Sequence, residues 1–427
     1  MKKAFKLLIT KIFVSQTNKI LTKYNPKIIV VVGSIGKTST KLAIAKILAK
    51  KFRVQVEEGN YNVPLSVPFV LTGQRLPSLF SIPGWIRAYR KGQKILKNDF
   101  NYDVVVFEYS IDHVGEMDEF KVFPSADFVV VSAIAPEHME NLYDIETVAK
   151  EELKATYFSK NIIFNSNTVK ERYIEKYGNK KATYESYGEN NSSDFIQKKT
   201  TKQGRYELEL IQNKSIIASS DTQMIAEHSL DALSAGAIIA NKLGISIDEI
   251  NSAISEITNP AGRMNTLMGK QGSLIIDDSY NASPEATIAA LDALYEVHGT
   301  KKIAILGNMN ELGDYSQEAH ELVGSYCDSK KLDLVITIGP DANKFLAEAA
   351  QERGCKVVTA NSPVEAGEIV LKTLIANSVV LVKGSQNKVY AEEAIKTLLA
   401  NPEDSYKLVR QSESWLNIKR NQFPDIS

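Results

Sequence analysis

The residues of this chain best suited to chemistry lie in the run Val30-Val-Val-Gly33-Ser34-Ile-Gly36-Lys37-Thr38-Ser39-Thr40. Two glycines let a backbone turn come close to a polyphosphate, and the free N–H groups of a following helix would point at the anion. Lys37 has the reach to touch β- and γ-phosphates, and the Thr38 hydroxyl suits a Mg2+ ion. The common phosphate-loop pattern has glycine six residues before the lysine; here that position is Val31, so the loop is a variant. Glu108 ends the apolar run 103–107, and His113 lies just beyond it. His138 follows the run 127–132, inside Pro136-Glu-His-Met-Glu140. A hard divalent ion beside a triphosphate prefers the oxygens of Glu108 to the nitrogen of His138. A second cluster, Asp277-Asp278-Ser279-Tyr280-Asn281-Ala282-Ser283-Pro284, follows another apolar run. It suits helix capping and turns, and equally a ribose or a substrate. Arg263 offers a guanidinium for a phosphate. Gly307-Asn-Met-Asn-Glu311-Leu-Gly313 and Val382-Lys383-Gly384-Ser385 close two further runs.

Groups of this kind work from the carboxyl ends of strands in an open α/β sheet. The runs 27–32, 52–56, 103–108, 127–132 and 161–164 read as strands, with helices at 37–50 and 145–158. Continuous apolar strands alternating with helices predict a parallel sheet covered on both faces. Residues 181–222 turn polar, and Tyr206-Glu-Leu-Glu-Leu210 alternates, which predicts a small antiparallel insertion or side sheet. Helices are expected at 227–243 and 246–257, and Asn259-Pro260-Ala-Gly262 reads as a hinge. A second series of strands follows at 273–277, 301–306, 332–338, 356–359 and 378–382, with helices such as 284–297 and 317–329. Residues 74–98, with Pro77, Pro83 and Gly84, read as an irregular connection. The expected fold class is α/β. A P-loop ATPase domain with a central, mostly parallel sheet spans 27–260, and a C-terminal Rossmann-like α/β domain spans 261–427.

At 427 residues, with 44% apolar and 24% charged residues, the chain can bury real cores in two or three domains. Lys and Arg together number 51, as do Asp and Glu, so the chain as a whole has no basic footprint for nucleic acid. Cys327 and Cys355 form no CxxC motif and read as buried thiols of a reducing compartment. No apolar run is long enough to span a bilayer and no cleavable signal pattern is present, so the cytoplasm is expected. The first 27 residues hold seven lysines (2, 3, 6, 11, 19, 23 and 27) and no acid. Phe5, Leu8, Ile9, Ile12 and Phe13 recur there at helical spacing. Residues 1–26 are therefore a basic amphipathic helix, which either packs on the first domain or lies on an anionic membrane surface through residues 1–24.

Taken in order, these stretches resemble the Mur ligase family. The matching segments are GSIGKTST (33–40), GNYNVPLSVP (59–68), EYSIDHVGEM (108–117), EHMENL (137–142), GRMN (262–265), DDSYNASPEA (277–286), GNMNELG with His320, and VKGSQ (382–386). The DDSYNASP and NMNELG stretches point to the branch that adds D-alanyl-D-alanine to a peptidoglycan precursor, as opposed to folylpolyglutamate synthase relatives. The resemblance implies ATP and Mg2+ as cofactors and an acyl phosphate that an amine attacks. Gly33, Ser34, Gly36, Lys37, Thr38, Ser39 and Asn62 would line the nucleotide. His228 falls where the family has an asparagine near the adenine. Arg263 would meet the γ-phosphate and Asp278 the ribose, from across an interdomain cleft. Thr38 and Glu108 would hold one Mg2+, and His138 would help hold a second. Lys37, Glu108, His138 and Arg263 would be the catalytic set.

Three departures stand out. Val30 and Ile35 occupy positions where the family carries glycine and Asn or Thr. Glu152 stands where the family has a carbamylated lysine, so either Glu152 supplies the carboxylate or Lys150 or Lys154 does after a register shift. Only about 26 residues precede the first strand, where the family has a UDP-sugar domain, so the acceptor carboxylate is open. The expected partners are small molecules: a cell-wall precursor and an amino acid or dipeptide, bound by a monomer. The alternatives are the same ligase chemistry on another carboxylate, or a P-loop ATPase or binding subunit without ligase activity.

Overall fold

The computed structural model describes residues 2–426 except 57–63, 75, 79–80, 99, 203–204, 225 and 227–228. It divides into two units: residues 1–200, 207–222 and 229–257, and residues 201–206, 223–228 and 258–427.

The first unit carries a nine-stranded sheet. Its strands are β1 (Lys27–Val32), β2 (Val54–Val56), β3 (Val104–Glu108), β4 (Phe128–Val131), β5 (Asn161–Asn165), β6 (Thr183–Gly188), β7 (Phe195–Lys202), β8 (Arg205–Gln212) and β9 (Ser215–Asp221). Their order is β2-β3-β1-β4-β5-β6-β7-β8-β9. β1 pairs in parallel with both β3 and β4. The β-branched sequences KIIVVV, VVVFE and FVVV are buried almost throughout, as a parallel sheet buried on both faces requires. Val30, Val32, Val105, Phe107, Val129 and Val131 share one core with Leu71, Met117 and Leu153. From β1 the chain fills the sheet on one side with β2 and β3, then crosses to β4 and β5. The carboxyl end of β1 is thus a switch point, where such sheets open a crevice.

The segment 181–222 is not a separate side sheet. β6 pairs in parallel with β5 and β7 with β6, so the main sheet simply continues; β8 and β9 are antiparallel. The alternation in β8 holds, with Tyr206, Leu208 and Leu210 buried. β6 was hard to read as a sheet strand because its sequence, TYESYG, is polar and aromatic. The helix expected over 145–158 is α-helical over Ile145–Leu153 and tightens into a 3-10 turn over Lys154–Phe158. The helix expected at 227–243 is Leu230–Lys242, residues 227–228 lying outside the described residues.

Residues 74–98 are not irregular throughout, because Ile82–Lys97 is a helix. Ser81 caps it by accepting a hydrogen bond from the Gly84 N–H at 3.2 Å. Pro83 sits in the first turn, where its missing N–H costs nothing. Trp85, Ala88 and Gly92, at spacings of three and four, form its buried face. That face meets the N-terminal helix Lys2–Tyr24. The helices approach so closely that a Cβ on Gly92 would fall within 2.1 Å of Gln16 Oε1. Phe13 lies 5.2 Å from Phe69 and 5.7 Å from Trp85, ring to ring.

The second unit has six strands: β10 (Asn265–Met268), β11 (Leu274–Asp278), β12 (Lys301–Gly307), β13 (Leu334–Ile338), β14 (Val357–Ala360) and β15 (Ser378–Lys383). Their order is β10-β11-β15-β12-β13-β14. All neighbours are parallel except the edge strand β10, which runs against β11. β10 escapes a sequence reading because it is four residues long with Met268 exposed. Cys327 and Cys355 are free and buried together in a core of this unit.

Candidate functional site

The turn after β1 is shaped for close backbone approach. Gly33 has φ 125°, and a Cβ there would sit 2.6 Å from Ser132 Oγ and 2.7 Å from the Ala133 carbonyl. Only glycine fits, on conformation and on space. Gly36 adopts φ 82° as the N-cap of the helix Lys37–Leu48, and no side chain caps that helix. Its first N–H groups are therefore presented to the space past β1, the arrangement that binds phosphate elsewhere. The turn is laced to the end of β4. Ser132 Oγ donates to the Ile35 carbonyl at 2.6 Å, and Ser34 Oγ accepts from the Ala135 N–H at 3.0 Å. Ser39 is half-buried in the first turn of the helix.

Lys37 is buried and pairs with Glu137 at 3.1 Å. Burial pulls its ammonium down, but Glu137, Glu152 and Glu108 together outweigh that and leave its pKa above the usual range. The Thr38 hydroxyl donates to Glu108 at 3.0 and 3.1 Å. Lys41 also binds Glu108, at Oε2 and 2.9 Å, both side chains being buried. Thus the fold brings Lys37, Thr38 and Glu108 together, as their types suggested. Lys41 and Glu137 went unread. Lys41 sits one helical turn beyond Lys37, which was the available signal; Glu137 had none beyond its neighbour His138.

Glu152 is the residue that reaches the loop. Its Oε2 accepts the Gly33 N–H at 2.8 Å, while Oε1 is buried with no hydrogen-bond partner. Lys150 is exposed, and Lys154 is bound to Glu151 at 2.7 Å and Asp118 at 2.8 Å. Burial pushes the Glu152 carboxyl up to about 7; Glu137 adds to this, and Lys37, the Gly33 N–H and His138 oppose it. A proton on Glu152 therefore stabilises the fold. That contribution is complete below the unfolded value near 4.5 and is lost as pH rises through about 7. Glu152→Gln should remove this slope. At pH ~8 its unfolding free energy without ligands should exceed the parent's by about 1–3 kcal/mol, converging near pH ~4.5. Urea denaturation at the two pH values measures this, and an unchanged slope in the variant would assign the titration elsewhere.

His138 adopts φ 50°, a conformation non-glycine residues seldom hold outside functional or strained turns. Its Nε2 lies 3.2 Å from Asp112 Oδ1 and 3.6 Å from Glu137 Oε1. Asp112 was not singled out in the sequence, although it lies between Glu108 and His113. His113 itself is largely exposed, 3.5 Å from Glu116, and stands apart from this group. Among the described residues no three His, Cys, Asp or Glu side chains form a ready-made metal cage. The donor chemistry nevertheless fits a hard cation: the Thr38 hydroxyl on Glu108, and a buried, unsatisfied Glu152 oxygen near Lys37. Asn62 and His228 lie outside the described residues.

In the second unit the carboxyl ends of β11, β12 and β15 converge. Lys383 binds Asp278 Oδ2 at 2.5 Å, and the Met264 N–H donates to Asp278 Oδ1 at 3.0 Å. Asp277 is fully buried, accepting from Ser279 Oγ at 2.5 Å and the Gly262 N–H at 2.9 Å; burial lifts its carboxyl to about 6. Arg263 stacks over the Tyr280 ring at 4.2 Å. His320 is buried, and burial lowers its pKa. Its Nε2 accepts the Met309 N–H at 3.0 Å, and Nδ1 lies 2.7 Å from the Ser316 carbonyl, so it shapes the loop after β12. The C-terminal arm was missed entirely. Arg410 grips the Ser279 and Tyr280 carbonyls at 2.7 and 2.9 Å and pairs with Glu392 at 2.6 Å.

A phosphate-loop unit followed by a Rossmann-like unit, with Lys37, Thr38 and Glu108 at the switch point, defines a nucleotide-dependent ligase architecture. A family model described as the Mur ligase middle domain matches residues 31–240, and one described as the Mur ligase glutamate ligase domain matches residues 262–386. The chain belongs to the Mur ligase family, and is thereby an ATP-dependent ligase. The UDP-N-acetylmuramoyl-tripeptide--D-alanyl-D-alanine ligase of Bacillus subtilis is 25% identical over 396 residues, covering 90% of this chain and 78% of that enzyme. The enzyme of the same name from Rickettsia prowazekii is 28% identical over 307 residues, covering 70% of this chain and 62% of its own length. Among solved structures, the MurF ligase of Thermotoga maritima in complex with ADP superposes with a TM-score of 0.71 at 22% identity, covering 91% of this chain and 84% of that one.

Proposed function

We propose that this chain joins a peptidoglycan-precursor carboxylate to the amine of D-alanyl-D-alanine, or a similar dipeptide, through an acyl phosphate. The observation that carries this reading is the buried Lys37, set among Glu137, Glu152 and Glu108 at the uncapped start of a helix past the switch-point strand. The family and the names of its relatives support the substrate class.

In the proposed reaction a carboxylate oxygen attacks the γ-phosphorus and the bond to the bridging oxygen of ADP breaks. The amine nitrogen then attacks the acyl carbon, phosphate leaves, and the nitrogen gives up a proton. Lys37 and the N–H groups after Gly36 hold the β- and γ-phosphates and align the γ-phosphorus. Lys41 holds Glu108 in place, so that it presents its carboxylate edge to Thr38. Glu108, Thr38, Glu152 and His138 are the residues that would hold Mg2+, which when bound neutralises phosphate charge. We assign Arg263 to the γ-phosphate and Asp278 to the ribose by resemblance; Asp278 is already oriented by Lys383.

The test is ADP release with UDP-muramoyl-tripeptide and D-alanyl-D-alanine, together and singly. Release that needs both supports the reading. Release only with a different carboxylate would move the chain to another acceptor, and slow release indifferent to any substrate would make it an ATPase.

A further inference from the structure

We infer that the N-terminal helix and the helix Ile82–Lys97 together form a docking face for an anionic membrane surface. The first carries six lysines and no acid, the second five Lys or Arg and no acid, in a chain whose charges balance only as a whole. They run side by side in the same direction. Phe13 packs on Trp85, Gln16 Nε2 donates to the Tyr89 carbonyl at 3.0 Å, and Tyr24 OH donates to the Ile95 carbonyl at 2.9 Å. The second helix was not visible in the sequence as part of any surface, so a basic helix alone became a braced pair.

The outer side of this pair is apolar where an ordinary surface would be polar. Leu8 and Ile12 on one helix, and Ile82, Ile86 and Tyr89 on the other, are between 41% and 64% exposed. Leu8 and Ile12 are four residues apart; Ile82, Ile86 and Tyr89 follow at i, i+4 and i+7. Each strip flanks the edge by which its helix meets the other, Tyr89 lying 6.4 Å from Phe13, ring to ring. The two strips therefore adjoin along one seam, at the N-terminal halves of both helices. Lys11, Lys19, Arg87, Arg90, Lys94 and Lys97 are exposed around it, and none is engaged by a carboxylate among the described residues. Lys11, Lys19 and Lys23 also line a shallow depression of about 720 Å³ with Asn18 and Thr22.

Apolar side chains at the centre of a purely cationic face match an interface with acyl chains beneath anionic headgroups. A second copy of the chain is disfavoured as the occupant, since a two-fold contact would bring the same cations against each other. The face needs no transmembrane segment, and no helix among the described residues is long and apolar enough to be one.

Co-sedimentation of the full chain with vesicles tests this without nucleotide, and so independently of the ligase reading. Binding is expected to phosphatidylglycerol-containing vesicles, not to pure phosphatidylcholine, and to fall at least tenfold in about 0.5 M NaCl. Ile82→Ser with Ile86→Ser, and separately Arg90→Glu with Lys94→Glu, should each lower the partition coefficient at least tenfold with unchanged melting temperature. Equal binding to neutral vesicles, or no effect of either folded variant, would overturn the proposal. So would a dimer in sedimentation velocity that Ile82→Ser with Ile86→Ser dissolves while vesicle binding is absent.

Discussion

Lys37→Ala should lower kcat/KM for ATP by roughly 10²–10³-fold or more, the scale on which removal of one preorganised charge-stabilising group acts. The physical case rests on where the ammonium sits. It is buried, it pairs with Glu137 at 3.1 Å, and Glu152 and Glu108 lie close enough to hold its charge. Take it away and Glu137, Glu152 and Glu108 face an incoming polyphosphate without the ammonium set among them, while Lys41 is engaged by Glu108. Binding should weaken together with turnover, because the same charge serves the ground state and the transition state. Calorimetric titration with ADP and a phosphate-release assay separate the two effects. Lys37→Arg should not rescue, since the bulkier fork must fit beneath a turn whose Ser34 carbonyl lies 3.3 Å from the Lys37 Nζ. Turnover within threefold of the parent for Lys37→Ala would remove the phosphate-loop assignment.

Lys419→Ala should destabilise the second unit by about 3–5 kcal/mol, the usual cost of stranding a buried charge. Its ammonium has no solvent exposure and is held by Glu392 at 2.7 Å, Glu393 at 2.5 Å and the Arg410 carbonyl at 2.9 Å. Glu392 also binds Arg410, whose guanidinium secures the Ser279 and Tyr280 carbonyls. The effect should therefore spread to the loop after β11 and loosen Asp278. For a unit of this size the loss corresponds to a fall of roughly 10 °C in melting temperature. Adding Glu393→Gln to Lys419→Met should recover part of it, because Glu392 keeps Arg410 as its partner and one buried carboxylate fewer is left without Lys419. A loss below ~1 kcal/mol for Lys419→Ala would mean that water reaches the network.

The local chemistry of the site was legible where it is encoded within one stretch of chain. Strand, Gly33, Gly36, Lys37 and Thr38 follow each other within twelve residues, and the β-branched strands announce a parallel sheet. What escaped was contributed at long range. Lys41 and Glu108 are far apart in sequence and meet only because β3 lies beside β1. Glu152 reaches Gly33 across more than a hundred residues, and the orphaned Oε1 shows only in three dimensions. The helix Ile82–Lys97 was masked by Pro77, Pro83 and Gly84, which read as breakers. Pro83 and Gly84 in fact sit in the capped first turn. The C-terminal arm offered no motif; Arg410 and Lys419 look like surface cations until Glu392 and Glu393 are placed beside them.

In the proposed reaction this loop hands the γ-phosphate to a carboxylate. Precursor labelled with ¹⁸O in its free carboxylate reports this transfer through mass spectrometry of the released phosphate. One ¹⁸O transferred to phosphate for each amide formed is the predicted result. Phosphate free of label, with ADP still produced, would contradict it, because the attacking oxygen would then have come from water.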